Sequence, residues 1–254
     1  MIHRCHRYLL RTAFFFALLS TCAAQPRFLP EDCTALVNLL PAPPQDDSIV
    51  GRAELETLLQ IQADRTTNQV QRAKRVASQT VTSFARPVLG EWFHSRDFPR
   101  TMAIFEQIDR ERRMIVDDQV KRHWNRTRPY LRSSAVHPVV GRPNNTSYPS
   151  GHASAAGLWG TIFAAAFPEK AAEFQQQIRE AMWCRVLAGV HYPSDTIAGD
   201  MLGEAIGRKM LESPKMQEAL KTIRAEVRPH MQGESQINSP AQSQKNPELE
   251  PAIR

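Results

Sequence analysis

Apolar residues recur at helical spacing along most of this chain. The stretch from Arg52 to about Phe84 contains no Gly or Pro, and its spaced leucines and valines predict two helices, which Arg86-Pro87 then ends. Another helix is predicted from about Thr101 to Lys121 or beyond, with its apolar residues on roughly one face. The charged residues between Asp109 and Asp118 predict a solvated opposite face that carries ion pairs.

A loop rich in Pro, Gly and Asn is predicted from Thr127 to Pro149. Ala- and Gly-rich helical segments follow it, at about residues 153–167, 168–190 and 195–210. Small residues let helices approach each other closely, and no stretch alternates as a strand does. We therefore predict an all-α fold, a single helical-bundle domain over residues 51–228.

The flanks of this helical part have a different composition. Residues 25–50 contain Pro at several positions and few periodic apolar residues, which predicts an extended lead-in. Residues 229–254 are polar and low in hydrophobicity, which is typical of a disordered tail.

The first 24 residues have the three parts of a secretory signal peptide. A basic start precedes a short apolar core, and small residues end the segment at Cys22-Ala23-Ala24. We expect a periplasmic or secreted protein; a retained N-terminal anchor and a lipid-modified Cys22 are the alternatives. No other stretch approaches the ~18 consecutive apolar residues of a membrane span, so we expect no transmembrane segment in the mature chain.

Removal of the signal peptide changes the charge and the cysteine content. The formal charge of the whole chain is +6, and Arg4, Arg7 and Arg11 contribute half of it, so we expect no nucleic-acid partner. Cys33 and Cys184 remain, and either a disulfide between them or two buried thiols fits an exported protein.

Two segments contain residues that suit an anion. Lys121 and Arg128 are seven residues apart, about two helical turns, so both can lean toward the same anion; solvated cations on a basic helix are the alternative. Ser150-Gly151-His152 follows Pro149 and precedes an Ala-rich run, which predicts a helix N-terminus with free N–H groups. Gly151 lets the backbone approach a phosphate closely, while Ser150 can cap the helix or bind an oxygen.

A third segment supplies Arg185, then His191 and Asp195. An Asp that accepts the Nδ1 proton of a histidine leaves Nε2 free to attack and stabilises the imidazolium form. Asp195 also suits a helix N-cap, and the two roles are compatible.

Taken in order, Lys-x6-Arg-Pro, Pro-Ser-Gly-His and Arg-x5-His-x3-Asp strongly resemble the type 2 phosphatidic acid phosphatase (PAP2) superfamily. This superfamily includes bacterial class A nonspecific acid phosphatases and vanadium haloperoxidases. The resemblance is close over residues 120–195 and looser over 51–212. One departure is Cys184, where the family usually has Ser; that position is not the family's nucleophile or phosphate ligand.

The resemblance implies a role for each motif residue. It implies that the phosphoryl oxygens are held by Lys121, Arg128, Arg185, Ser150 and the Gly151 N–H. It further implies that His191, oriented by Asp195, forms a phosphohistidine, while His152 protonates the leaving alcohol and later activates water. The expected protein is an acid phosphatase for small phosphate monoesters that needs no metal or other cofactor and is inhibited by vanadate.

Other functions remain open at this point. A vanadium-dependent haloperoxidase would use nearly the same oxyanion residues, and a PAP2-type lipid or diphosphate phosphatase could act at a membrane surface. A non-catalytic anion-binding protein would not need His191 or Asp195. The remaining histidines show no metal-ligand spacing, so no metal site is expected. A homo-oligomer is possible.

Overall fold

The computed structural model describes residues 27–30 and 33–237, so the predicted signal peptide lies outside the described residues. Its helices are α1 (Thr34–Val37), α2 (Ile49–Asp64), α3 (Thr67–Ala77), α4 (Val81–Leu89), α5 (Pro99–Ile115), α6 (Lys121–Trp124), α7 (Pro129–Arg132), α8 (Gly151–Ala166), α9 (Ala171–Leu187), α10 (Pro193–Leu211) and α11 (Pro214–Ile237). Two short 3-10 turns and one π-helical turn complete the order. No strand occurs within the described ranges, and the predicted all-α fold is confirmed.

Helices α8 and α10 cross closely at the centre of the bundle. A Cβ on Gly203 would lie 2.2 Å from the Ser154 carbonyl oxygen, and one on Gly199 would lie 2.4 Å from the Ser150 carbonyl oxygen. Only glycine permits this approach. It brings the start of α8 against the start of α10, where the Ser150 N–H donates to the Asp195 carbonyl at 2.8 Å.

The region predicted as two helices contains three. The breaks come at Thr66 and Thr80, whose side chains form capping boxes at the starts of α3 and α4. The predicted end at Arg86-Pro87 is also wrong, because α4 continues through Pro87 to Leu89. Phe84 is fully buried, and burial of this helix face offsets the missing Pro87 N–H.

The helix predicted from Thr101 extends as a helical path from Pro99 to Trp124, but it is interrupted by a π-helical turn at Val116–Val120. Such a turn inserts an extra residue and changes the direction of the side chains that follow. Lys121 is the next residue, and its side chain is buried. Asn125 then ends the path in the left-handed conformation, with a φ of 42°.

The prediction of a solvated charged face is wrong for Glu111 and Arg112, which are both buried. The Glu111 carboxylate accepts the backbone N–H groups of Phe28 and Leu29, at 2.9 and 2.8 Å. Arg112 donates to the Ser154 hydroxyl at 3.1 Å. Because the N-terminal segment covers one residue and α8 covers the other, their charges are satisfied inside the protein.

The predicted start of the disordered tail, residue 229, is also wrong, because α11 continues to Ile237. Pro229 disfavours a helix interior, but Val227 is fully buried and the His230 ring stacks on Trp92, with centroids 5.5 Å apart. Residues 238–254 lie outside the described residues. In the described part of the chain, no helix has the length and apolar character needed to cross a membrane.

Candidate active site

The predicted site residues meet where α8 and α10 begin. Lys121 follows the π turn, Arg128 precedes α7, and His152 lies in the first turn of α8. Arg185 lies in the last turn of α9, and the corner between α9 and α10 supplies His191. Segments far apart in sequence therefore contribute to one buried cluster.

His191 and Asp195 form a buried pair. His191 Nδ1 lies 3.3 Å from Asp195 Oδ2, which also accepts the Tyr192 backbone N–H at 2.9 Å and the Ser147 hydroxyl at 2.5 Å. The carboxylate thus holds the imidazole proton on Nδ1 and leaves a lone pair on Nε2. Burial lowers the pKa of His191 well below its usual range, so the ring is neutral near pH 7.

Asp195 remains ionised in this setting. Burial acts to raise its pKa, but the hydrogen bond with His191, the charge of Arg126 and the hydrogen bond from Ser147 oppose this effect, and the pKa of Asp195 is lowered to about 2. An ionised Asp195 can accept a hydrogen bond from the His191 Nδ1–H across the whole pH range in which most enzymes work.

Three cations surround this pair without carboxylate partners among the described residues. Lys121, Arg128 and Arg185 are each at most 3% exposed. Lys121 donates only to carbonyls, those of Thr146 and Pro149, at 2.8 and 2.7 Å. Burying unpaired charge is costly, so such a cluster is suited to hold an anion.

Arg185 and Arg128 are likewise buried cations without a carboxylate partner among the described residues. The Nε and Nη1 atoms of Arg185 are buried and have no hydrogen-bond partner in the described part of the chain. Arg128 Nη1 donates to the Val190 carbonyl at 2.7 Å and lies 3.2 Å from His191 Nε2, so a guanidinium faces the free imidazole nitrogen. Burial, and then the Arg128 charge, lower the pKa of Lys121 to about 8 and that of Arg185 to about 10.

The N-terminus of α8 completes the anion side. Ser150 is the N-cap, and its hydroxyl accepts the Ala153 N–H at 3.4 Å. A Cβ on Gly151 would have only Asp117 Oδ1 within 4 Å, at 3.9 Å, so the space beside that backbone is open. A helix N-terminus carries free N–H groups and the positive end of the helix dipole, so the start of α8 is suited to an anion.

His152 lies between these cations and a cavity of about 380 Å³, whose walls include Met102, Phe105 and Trp159. Its Nε2 lies 3.1 Å from the Ala77 carbonyl, which favours a proton on that nitrogen. Burial, and then the Arg185 charge, lower the pKa of His152 to about 4.

Sequence reasoning missed Arg126, which contacts Asp195, and Glu54, which contacts Arg126. Arg126 Nη1 donates to Asp195 Oδ1 at 2.7 Å, and Arg126 Nη2 donates to Glu54 Oε2 at 2.7 Å. Arg126 lies inside the first motif, where no local pattern separates it from a surface arginine. Glu54 lies on α2, where its sequence context is that of any solvated helix residue.

Cys184 is buried and contacts Glu180. Its Sγ lies 3.3 Å from the Glu180 carboxylate, and burial, followed by the Glu180 charge, raises the pKa of the thiol to about 12. Cys33 is also buried and donates to the Pro30 carbonyl, and the two sulfurs are not joined in a disulfide.

Within residues 27–30 and 33–237, no group of three or more His, Cys, Asp or Glu side chains is arranged to hold a metal ion.

Comparison with known proteins gives a family match and relatives of similar length. Residues 113–219 match the model of the PAP2 superfamily. A non-specific acid phosphatase of Salmonella typhi is 28% identical over 236 residues, which cover 87% of this chain and 92% of that protein.

Two solved structures share the fold. A bacterial vanadium-dependent iodoperoxidase superposes with a TM-score of 0.56 at 18% identity, over 70% of this chain and 53% of that chain, so the aligned region spans about half of the peroxidase. A transmembrane PAP2-type phosphatidylglycerolphosphate phosphatase from Bacillus subtilis gives a TM-score of 0.51 at 14% identity, over 70% of this chain and 90% of that chain.

Proposed function

We propose that this protein is an acid phosphatase that works through a phosphohistidine and needs no metal. Its resemblance to the PAP2 superfamily is confirmed by the match over residues 113–219. The observation that carries the proposal is the set of three buried cations around His191. They lack carboxylate partners in the described ranges and face a neutral imidazole whose proton is held by Asp195. The similarity to an acid phosphatase over most of the chain supports it.

Substrate binding places the phosphoryl oxygens among the cations. Positive charge and hydrogen-bond donors for these oxygens come from Lys121, Arg128 and Arg185 and from the N–H groups at the start of α8. In other phosphatases a metal ion supplies this positive charge. Because these cations are already buried and fixed, they need little reorganisation when charge develops on the oxygens.

In the first step, the His191 Nε2 lone pair attacks phosphorus as the ester P–O bond breaks. The leaving oxygen takes a proton from His152, and Asp195 stabilises the positively charged phosphoimidazole through Nδ1–H. In the second step, His152 takes a proton from water, the oxygen attacks phosphorus, and the P–N bond breaks to release phosphate and neutral His191.

The acid role of His152 requires a proton that the empty site disfavours, since its pKa there is about 4. A bound phosphate dianion offsets the Arg185 charge and so raises the pKa of His152. We therefore expect the rate to fall as the pH rises through this substrate-bound pKa, which favours activity on the acid side of neutral.

We also propose export through the signal peptide at residues 1–24, which gives a periplasmic or secreted enzyme acting on small phosphate esters. The cavity beside His152 provides room for the leaving alcohol. Vanadate should inhibit, because it can adopt the five-coordinate geometry of phosphorus during transfer.

A vanadium haloperoxidase is the second candidate, because the same cations could hold vanadate and a vanadium-dependent iodoperoxidase shares the fold. Hydrolysis of a chromogenic phosphate ester in excess EDTA, between about pH 4 and pH 8, separates the two. We expect turnover that vanadate inhibits. Absence of turnover throughout this range contradicts the phosphatase proposal, and peroxide-dependent halide oxidation after vanadate loading supports the alternative.

A further inference from the structure

We propose that Arg126 and Glu54 form a buried positioning pair that fixes the Asp195 carboxylate toward His191. This inference rests on the proposed role of His191. It concerns two residues that do not contact the phosphoryl group and that act through Asp195.

Arg126 is 6% exposed, and its contacts define its orientation. Nη1 donates to Asp195 Oδ1 at 2.7 Å and to the Ser194 hydroxyl at 2.8 Å. The guanidinium carbon lies 4.1 Å from the centre of the Tyr192 ring. These contacts all go to the first residues of α10 and the residue before it, so Arg126 ties the start of that helix to the first motif.

Glu54 fixes the opposite side of the guanidinium. Its Oε2 accepts Arg126 Nη2 at 2.7 Å, and its Oε1 accepts the Ser194 backbone N–H at 2.7 Å. Glu54 comes from α2, which lies outside the segment that matches the PAP2 model. A helix beyond the three motifs therefore contributes to the support of the proposed nucleophile.

The two oxygens of Asp195 have separate tasks. Oδ2 faces His191, Tyr192 N–H and Ser147, whereas Oδ1 accepts only Arg126 among the described residues. Without Arg126, Oδ1 would be a buried anionic oxygen with no donor. The carboxylate would then be held through Oδ2 alone, which fixes its orientation toward the imidazole less firmly.

The charges of this group balance in the intermediate. With neutral His191, the carboxylates of Glu54 and Asp195 face one guanidinium, which leaves one net negative charge. When phosphorus bonds to Nε2, the imidazole becomes positive and the net charge of these side chains reaches zero. Because Arg126 and Glu54 neutralise each other, the charge that balances the imidazolium is that of Asp195, and the pair acts by holding this carboxylate in place.

Loss of Arg126 should also change the acid limit of the reaction. Asp195 would take a proton more readily, and a protonated carboxyl can donate to Nδ1 and move the imidazole proton onto Nε2, which blocks attack. The acidic limb of the pH–rate profile then moves to higher pH. Asp195 also faces His191, Ser147 and the Tyr192 N–H, and at longer range the Tyr148 phenol and the charges of Lys121 and Arg128.

The test compares Arg126→Met and Arg126→Lys with Arg132→Met. Arg132 is a matched control because its guanidinium faces the same Tyr192 ring, at 6.0 Å, but donates to the Gly51 and Asp46 carbonyls. We expect Arg126→Met to lower kcat about 100-fold, with KM within about 3-fold and the acidic limb moved upward. Arg126→Lys keeps the charge and should recover about a tenth of the wild-type kcat, and Arg132→Met should behave as wild type.

A second readout needs no turnover. The ¹⁵N NMR shifts of the His191 ring report its tautomer, which should be Nδ1–H in the wild type and Arg132→Met and should shift toward Nε2–H in the Arg126 variants. Failure of the phosphatase proposal would appear as an inactive wild type with this tautomer pattern intact. The positioning role is overturned if the Arg126 variants keep the wild-type tautomer. It is also overturned if their kcat and the acidic limb of their pH–rate profile match those of Arg132→Met. A rise in KM alone would mean that Arg126 binds substrate instead.

Discussion

Arg185 combines features that normally destabilise a folded protein. It is 2% exposed, two of its nitrogens have no hydrogen-bond partner among residues 27–30 and 33–237, and the neighbouring Arg128 repels it. A charge held in this way costs folding free energy unless an anion arrives. Under the proposed function, Arg185 lowers the stability of the empty protein and strengthens the binding of a phosphoryl group.

We expect phosphate to raise the melting temperature of the wild type and to have much less effect on Arg185→Met. At about 100 times the Kd, ligand binding adds ~2.7 kcal/mol, or roughly 5–10 °C for a chain of this size. The empty Arg185→Met protein should melt no lower than the wild type, because an unpaired buried charge has been removed. Thermal melting with and without phosphate measures both effects.

Arg179→Met is the matched control, since Arg179 lies on the same helix but is exposed and bonds only to Gln176. It should keep the full response to phosphate. If Arg185→Met also kept it, Arg185 would not belong to the anion site.

The sequence was sufficient to find some site residues and not others, for a physical reason. His191 and Asp195 are four residues apart, so their spacing alone predicts a contact. Glu54 and Arg126 are separated by 72 residues, and only the packing of α2 against the start of α10 brings them together. No local pattern indicates such a contact.

At the scale of elements, the crossing of α8 and α10 determines the site. The backbones approach so closely at Gly203 that an added methyl group would overlap the Ser154 carbonyl, at 2.2 Å. Any separation of the two helices would also separate Ser150 from Asp195, whose backbones are hydrogen-bonded.

Gly203→Ala should therefore destabilise the protein by about 2–3 kcal/mol, because the helices must move apart or distort. Gly141→Ala is the control: its added methyl group meets nothing within 4 Å, and its φ is not positive, so it should be neutral or slightly stabilising. Urea unfolding of the two variants measures the difference. Equal midpoints would show that the crossing tolerates a larger residue and would contradict this account.

Helix types were predictable, but helix boundaries set by tertiary packing were not. Apolar periodicity locates the path from Thr101 to Lys121, yet nothing in it indicates the π turn at Val116–Val120. Pro87 and Pro229 are ordinary signals for a helix end, and both were misleading because buried faces hold α4 and α11 together around them. Local propensity decides a boundary only where burial is weak.

At the scale of the whole molecule, the all-α class follows from the spacing of apolar residues and from composition. The burial of a charged side chain depends instead on which distant segment packs over it. Glu111 and Arg112 look like surface residues until the segment at Phe28 and helix α8 pack over them. The same global packing encloses the three cations and removes them from water. The proposed metal-free phosphoryl transfer requires that enclosure, because buried charges act more strongly on a bound anion than solvated ones.

Trapping of the covalent intermediate tests the central claim most directly. The wild type, His191→Ala and the exposed control His137→Ala are mixed with ³²P-labelled phosphate ester in EDTA, quenched in alkali and mapped by mass spectrometry. We predict label on His191 in the wild type and in His137→Ala, and neither label nor turnover in His191→Ala. Turnover without label on His191 in the wild type, or near-normal turnover by His191→Ala, would contradict the account.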